Sequence, residues 1–136
     1  MAFNKINEDA IVPHYQTTGS AGLDLHSIEA ATLLPGQRHL VGTGLTIDLP
    51  TGTEGQVRPR SGLAAKYGIT VLNSPGTIDE DYKGEIKVIL YNTSDSVFNV
   101  QKGDRIAQLV VAPVFKLTGL TLDNTRETNG FGSTGQ

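Results

Sequence analysis

Apolar and polar residues along this chain follow a period of two in short runs, and almost nowhere the 3.6-residue period of a helix. Residues 1–7 alternate weakly through Phe3, Lys5 and Ile6, the pattern of an edge strand. Leu23 and Leu25 point away from Asp24 and His26, as on a half-buried strand. Residues 30–34 are a short apolar run ended by the turn pair Pro35-Gly36. Leu40-Val41 and residues 45–49 flank Gly42-Thr43-Gly44, which reads as one strand with a kink or bulge. Residues 54–60 predict a strand that turns polar and stops at Pro59. Residues 61–68 predict the one helix, about two turns long, with Ser61 as its cap and Gly68 at its end. A short strand over 69–72, a turn over 73–76 and a hairpin with a loop over 77–84 follow. Over 85–92, Ile86, Val88 and Leu90 take one face, while Lys87, Ile89 and Tyr91 take the other. A strand apolar on both faces is buried in a sandwich or against another subunit. Strands are also expected over 97–100, 105–113 and 117–122. Short strands bounded by turn residues, with one small helix, predict a single all-β sandwich or barrel domain.

Composition agrees: 16 glycines and six prolines in 136 residues suit many turns. The absence of cysteine excludes disulfides and cysteine-held zinc. His14, His26 and His39 lack the spacing of a metal-binding pair on a helix. A net charge of −3 gives no global basic field for nucleic acid, so a bound anion must meet local positive charge. No apolar run reaches the ~20 residues of a membrane span. The N-terminus lacks the apolar core of a signal peptide, so a cytoplasmic protein is expected.

Four polar clusters and the C-terminal stretch interrupt the β pattern. Asp24, between two leucines, is either a solvent-facing alternation partner or a group that orients an arginine or a metal-bound water. In Arg58-Pro-Arg-Ser-Gly-Leu-Ala64 an arginine precedes a helix start. That is an ordinary capped helix or a phosphate cradle. Asn73-Ser-Pro-Gly-Thr-Ile-Asp-Glu-Asp-Tyr-Lys-Gly84 sets three acids among turn residues. It is either a solvated turn or a device that pairs with a base edge, stacks on a sugar and activates water. Gln108 shares a face with Ile106 and Val110 on an apolar strand, and such a buried amide must find partners. Arg126 to Gly135 is so rich in glycine that it reads as a frayed end or as a lid of one ring, one arginine and two hydroxyls.

Together and in this order, the five stretches resemble the trimeric dUTPase family: Ala21-Gly-Leu-Asp-Leu, Arg58-Pro-Arg-Ser-Gly-Leu-Ala, Asn73 through Glu85, Lys102-Gly-Asp-Arg-Ile-Ala-Gln-Leu, and Arg126 through Gly135. The resemblance runs from about residue 5 to the end; its departure is Asn129, where the family usually has glycine. It implies a distorted jelly-roll β-barrel over residues 1–125, a mobile lid over 126–136, and a homotrimer whose active sites are shared between subunits. It implies hydrolysis of dUTP to dUMP and pyrophosphate, with Asp79 as general base. Tyr82 would stack on the deoxyribose, and Asn73, Gly76, Thr77 and Gly84 would read the uracil. Arg60, Ser61, Gly62 and Gln108 would hold phosphates. Arg126, Gly132, Ser133 and Thr134 would grip the γ-phosphate, with Phe131 over the base. Mg2+ would ride on the triphosphate and water without a direct protein ligand, and Asp24 would act through a water or an arginine. Two alternatives stand beside this reading: a dCTP deaminase-like enzyme, and a dUTP-sensing trimer that binds a partner protein.

Overall fold

The computed structural model describes residues 2–121. The final stretch, with Arg126, Asn129, Phe131, Gly132, Ser133 and Thr134, lies outside the described residues. In chain order the elements are β1 (Phe3–Lys5), β2 (Leu23–His26), β3 (Ala31–Leu33), β4 (Arg38–Gly42), β5 (Leu45–Ile47), β6 (Thr53–Arg58), α1 (Ser61–Tyr67), β7 (Ile69–Val71), β8 (Gly76–Ile78), β9 (Lys87–Asn92), β10 (Phe98–Val100) and β11 (Arg105–Pro113). They form a four-stranded sheet β2-β11-β6-β8, a three-stranded sheet β4-β9-β7, and the pairs β1-β5 and β10-β3. All pairings are antiparallel, as a jelly roll requires. Among the described residues no helix is long and apolar enough to cross a membrane.

Alternating apolar positions from these sheets make one core. Leu25, Leu33, Leu45, Ile86, Leu90, Ile106 and Leu109 are buried below 2% exposure. Each contributes about 2 kcal/mol relative to exposure in water. On β9, Val88 and Leu90 face this core, whereas Ile89 and Tyr91 are half-buried on the other side. Asn92 is also fully buried, and its amide is satisfied. Nδ2 donates to the Leu33 and Ser96 carbonyls at 3.0 and 2.8 Å, and Oδ1 accepts from the Ser94 amide and hydroxyl.

Several local expectations change. The kinked strand around Gly42-Thr43-Gly44 is two strands in different sheets: β4 pairs with β9, and β5 with β1. The buried Thr43 makes the crossing, and its hydroxyl donates to the Ile86 carbonyl at 2.7 Å. Gly44 follows at φ +72°, a backbone state glycine adopts without strain. The expected 77–84 hairpin is not one. β8 adds to the edge of β6, and the chain leaves it through a turn in which the Tyr82 amide donates to the Asp79 carbonyl at 3.0 Å. Ser61 does not cap α1. Arg60 occupies the cap position without a side-chain bond, and Ser61 is the first helical residue. Gly68 does end the helix, at φ 67°. Residues 117–121 form no strand. A register shift between Arg105 and Ala107 buries Ile106 and turns Gln108 to the face opposite Ala107 and Leu109, so Gln108 is half-buried and outside the core.

Candidate active site

The four-stranded sheet sets four of the polar clusters side by side. Asp24 lies on β2, Gln108 on β11, Arg58 at the end of β6, and Gly76 and Thr77 on β8. The register aligns Asp24 with Gln108 and Gln108 with Arg58 in one row across three strands. One step along, Val57 pairs with Gly76 and Gln56 with Thr77.

Asp24 takes the arginine role of those open to it. Its Oδ1 lies 3.5 Å from Arg60 Nε and its Oδ2 lies 3.5 Å from Arg105 Nη1. The carboxylate is only 18% exposed, so both guanidinium groups are held at one point. Arg60 also donates to the Arg105 carbonyl at 3.4 Å. Arg105 had no role in the sequence reading, although it stands inside the fourth stretch. Its pairing with β2 across the register shift is what brings it to Asp24. Neighbouring His26 has a buried Nδ1 without a partner. Burial lowers its pKa, with Arg105 and Arg60 acting the same way against the opposing pull of Asp24.

Gln108 donates from Nε2 to the Pro59 carbonyl at 3.1 Å, the backbone partner such an amide needs. Gly22 makes this position possible, because a Cβ there would collide with Gln108 Oε1. Ser61 and Gln108 line an open groove with Gln56, Arg58, Pro59 and the Ser74-Pro75 turn. Arg60 lines a separate groove with Arg105 and the Tyr67–Phe98 ring pair, whose centroids are 5.2 Å apart. Gly62 has open space where a Cβ would sit.

The second group lies beyond β8. The Asn73 amide folds over Gly76, where a Cβ would stand 3.1 Å from Nδ2 and 3.4 Å from Val57 Cβ. Asp79 is half-buried directly after β8. Glu80 accepts the Gly52 amide at 2.8 Å, which ties the Asp79 loop to the turn before β6. The Tyr82 hydroxyl donates to the Glu85 carbonyl at 2.8 Å. Its ring crosses Gly84, where a Cβ would stand 2.5 Å from the hydroxyl oxygen and 2.7 Å from Cζ. Burial raises the Tyr82 pKa, and the Glu85 charge adds to the rise, so the phenol stays a donor. Asp79, Tyr82 and Gly84 do not line the Ser61–Gln108 groove. Ser74 and Pro75 do line it, so the turn-borne group adjoins the anion-type group along β6 and β8.

Among the described residues no three His, Cys, Asp or Glu side chains gather as a metal cage. Arg60, Arg105, Ser61 and Gln108 are donors suited to an anion, so a divalent cation fits this site only in company with phosphate oxygens.

Comparison with known proteins gives the same picture over nearly the whole chain. A dUTPase family model matches residues 8–135. A deoxyuridine 5'-triphosphate nucleotidohydrolase of Nautilia profundicola is 52% identical over 140 residues, covering 100% of this chain and 99% of that protein. One of Hydrogenobaculum sp. is 55% identical over 136 residues, covering 96% and 94%. Among solved structures, a mutant dUTPase from phage phi11 of S. aureus superposes with a TM-score of 0.81 at 21% identity, covering 90% of this chain and 95% of that one. The Staphylococcus bacteriophage 80alpha dUTPase gives 0.80 at 22%, covering 92% and 97%. At such identity the structures speak for the fold alone. With its fold, its ordered motifs and relatives more than half identical along their full length, the chain belongs to the dUTPase family.

Proposed function

We propose that this protein hydrolyses dUTP to dUMP and pyrophosphate, which keeps uracil out of DNA and supplies dUMP for thymidylate synthesis. The observation that carries the proposal is the alignment of four family motifs on adjacent strands of one sheet. Relatives named as dUTP nucleotidohydrolases favour it over the deaminase alternative.

The anion-type group takes the phosphates. Arg60, oriented by Asp24, supplies positive charge, and the Ser61 hydroxyl, Gly62 amide and Gln108 amide supply directed hydrogen bonds. Gly62 suits this role, because among the described residues nothing occupies the space beside it. The turn-borne group takes the nucleoside. Asn73 and the backbone of Gly76 and Thr77 pair with the uracil edge, and Gly84 holds its place by giving room to the Tyr82 ring. Tyr82 packs on the sugar and leaves no space for a 2′-hydroxyl. Asp79 accepts a proton from water as the water oxygen bonds to the α-phosphorus. The bond from that phosphorus to the bridging oxygen breaks, and pyrophosphate leaves. With no carboxylate cage among the described residues, Mg2+ would come with the substrate phosphates and would add neutralisation of the charge that Arg60 meets there. The phage phi11 dUTPase coordinates a structural Mg(II) ion, which is consistent with a divalent cation in this reading. Membership of the dUTPase family supports a homotrimer whose active sites are shared between subunits. The family resemblance assigns Arg126, Gly132, Ser133 and Thr134 to the γ-phosphate and Phe131 to the uracil.

The test is Asp79→Asn. It removes the proton acceptor at nearly constant shape. Turnover of dUTP falls by roughly a thousand-fold, the usual weight of a positioned base, while binding of a non-hydrolysable dUTP analogue persists. Turnover near the parental rate removes Asp79 from the role of base.

A further inference from the structure

The Gly42-Thr43-Gly44 crossing is unexplained by the reaction above, and it meets the site at one residue, Glu85. The Glu85 carboxylate accepts the Gly44 amide at 2.9 Å in a part-buried position. The same carboxylate lies against Gly42, where a Cβ would collide with Oε2. Gly42 and Gly44 are therefore two walls of a cradle for one carboxylate. One is bare so that the oxygen can approach, and the other is at positive φ so that its amide points at that oxygen. Three buried or near-buried backbone contacts fix the surroundings: the Thr43 amide and hydroxyl donate to the Ile86 carbonyl, and the Ile86 amide donates to Leu45.

The other end of Glu85 faces the nucleoside group. Its backbone carbonyl is the acceptor for the Tyr82 hydroxyl at 2.8 Å. The Tyr82 ring packs against the core and crosses bare Gly84, and its polar end is held by this bond to the Glu85 carbonyl. A charge-assisted bond at the carboxylate thus sets the carbonyl that sets the tyrosine.

We propose that Glu85 is a positioning residue for sugar discrimination. Its carboxylate, seated in the Gly42–Gly44 cradle, holds its own carbonyl where the Tyr82 hydroxyl must bond, and so fixes the ring against a 2′-hydroxyl. This rests on the reading of Tyr82 as the sugar-facing residue. Small misplacements of a positioning group are costly, because discrimination depends on a tight wall and not on mere presence of the ring.

The experiment compares kcat/KM for dUTP and UTP in the parent, Glu85→Ala, Glu85→Gln and Gly42→Ala, together with hydrogen exchange of the Gly44 amide. In Glu85→Ala the dUTP:UTP ratio drops by roughly five- to ten-fold, the weight of one lost directed bond, and the Gly44 amide loses protection. Glu85→Gln keeps an acceptor oxygen and restores both within about two-fold. Gly42→Ala leaves Glu85 intact but expels its carboxylate, so it repeats the Glu85→Ala result; it also carries the test if Glu85→Ala fails to fold. A parental ratio in Glu85→Ala or Gly42→Ala, or a Glu85→Gln variant as impaired as Glu85→Ala, overturns the proposal. If the parent does not hydrolyse dUTP, the functional reading fails instead. The Gly44 amide then still reports whether Glu85 holds the cradle, and unchanged protection in Glu85→Ala overturns that.

Discussion

Gly22→Ala should damage the phosphate group through Gln108 alone. Gly22 is not among the glycines at positive φ, so its backbone accepts alanine. The added Cβ would stand 3.3 Å from Gln108 Cδ and 3.4 Å from its Cβ, and would overlap Oε1. The backbone of β2 and β11 is locked by the Gln108–Asp24 and Leu109–Leu23 pairs, so the amide must turn away. Turning breaks the bond from Nε2 to the Pro59 carbonyl. One half-buried neutral hydrogen bond is worth about 1 kcal/mol of stability, or about 4 °C in Tm for a domain of this size. The same amide is assigned a phosphate oxygen, and a bond to a charged group is worth about 1.5–3 kcal/mol. The loss in kcat/KM for dUTP should therefore be roughly ten- to a hundred-fold. The assay is a double-mutant cycle. Gly22→Ala and Gln108→Ala are each measured alone and together by pyrophosphate release, with thermal unfolding alongside. In the Gln108→Ala background, adding Gly22→Ala should change kcat/KM by less than about two-fold, because its target is gone. A full ten-fold loss in that background, or no loss in the parent, refutes the reasoning.

Two stability predictions follow from groups away from the chemistry. Asn92→Ala removes four hydrogen bonds of a fully buried amide, including those to the Leu33 and Ser96 carbonyls. It should cost about 3 kcal/mol by chemical denaturation, since an unsatisfied buried partner carries its full desolvation penalty. For His26, burial places the folded pKa below its ordinary 6.5. The unfolded chain then takes up the proton first as pH falls, so this contribution to stability is full above about 6.5 and is lost as pH drops through the lowered folded value. Urea unfolding between pH 7.5 and pH 5.5 should show a shallower loss in His26→Gln than in the parent.

The order of motifs and the all-β class were legible because both are local: turn residues and period-two runs stand in the sequence regardless of partners. Gly68 was legible for the same reason, since a helix end needs a residue at ease with positive φ. What escaped depends on contacts distant in sequence. Whether Gly42-Thr43-Gly44 kinks one strand or parts two is decided by β9 and β1, and neither is visible from residues 40–49. The face of Gln108 was misjudged because strict alternation was carried through a register shift at Arg105–Ala107, and a shift of one residue exchanges inside for outside. Ser61 looked like a cap by residue type, but the chain reaches helical geometry one residue earlier, and Arg60 takes that place. Asn92 closes the strand expected over 85–92, and nothing in that run shows that its amide is buried against the Leu33 and Ser96 carbonyls. Arg105 gave a signal of its own, a basic residue at the head of an apolar strand in the fourth stretch, yet its link to Asp24 exists only once β2 lies beside β11.

Pyrophosphate release in the presence of Mg2+, measured across dUTP, dTTP, dCTP and UTP, tests the central claim most directly. The account predicts rapid turnover of dUTP, with dTTP, dCTP and UTP each slower by orders of magnitude. Ammonia released from dCTP, or dUTP left intact, would contradict it.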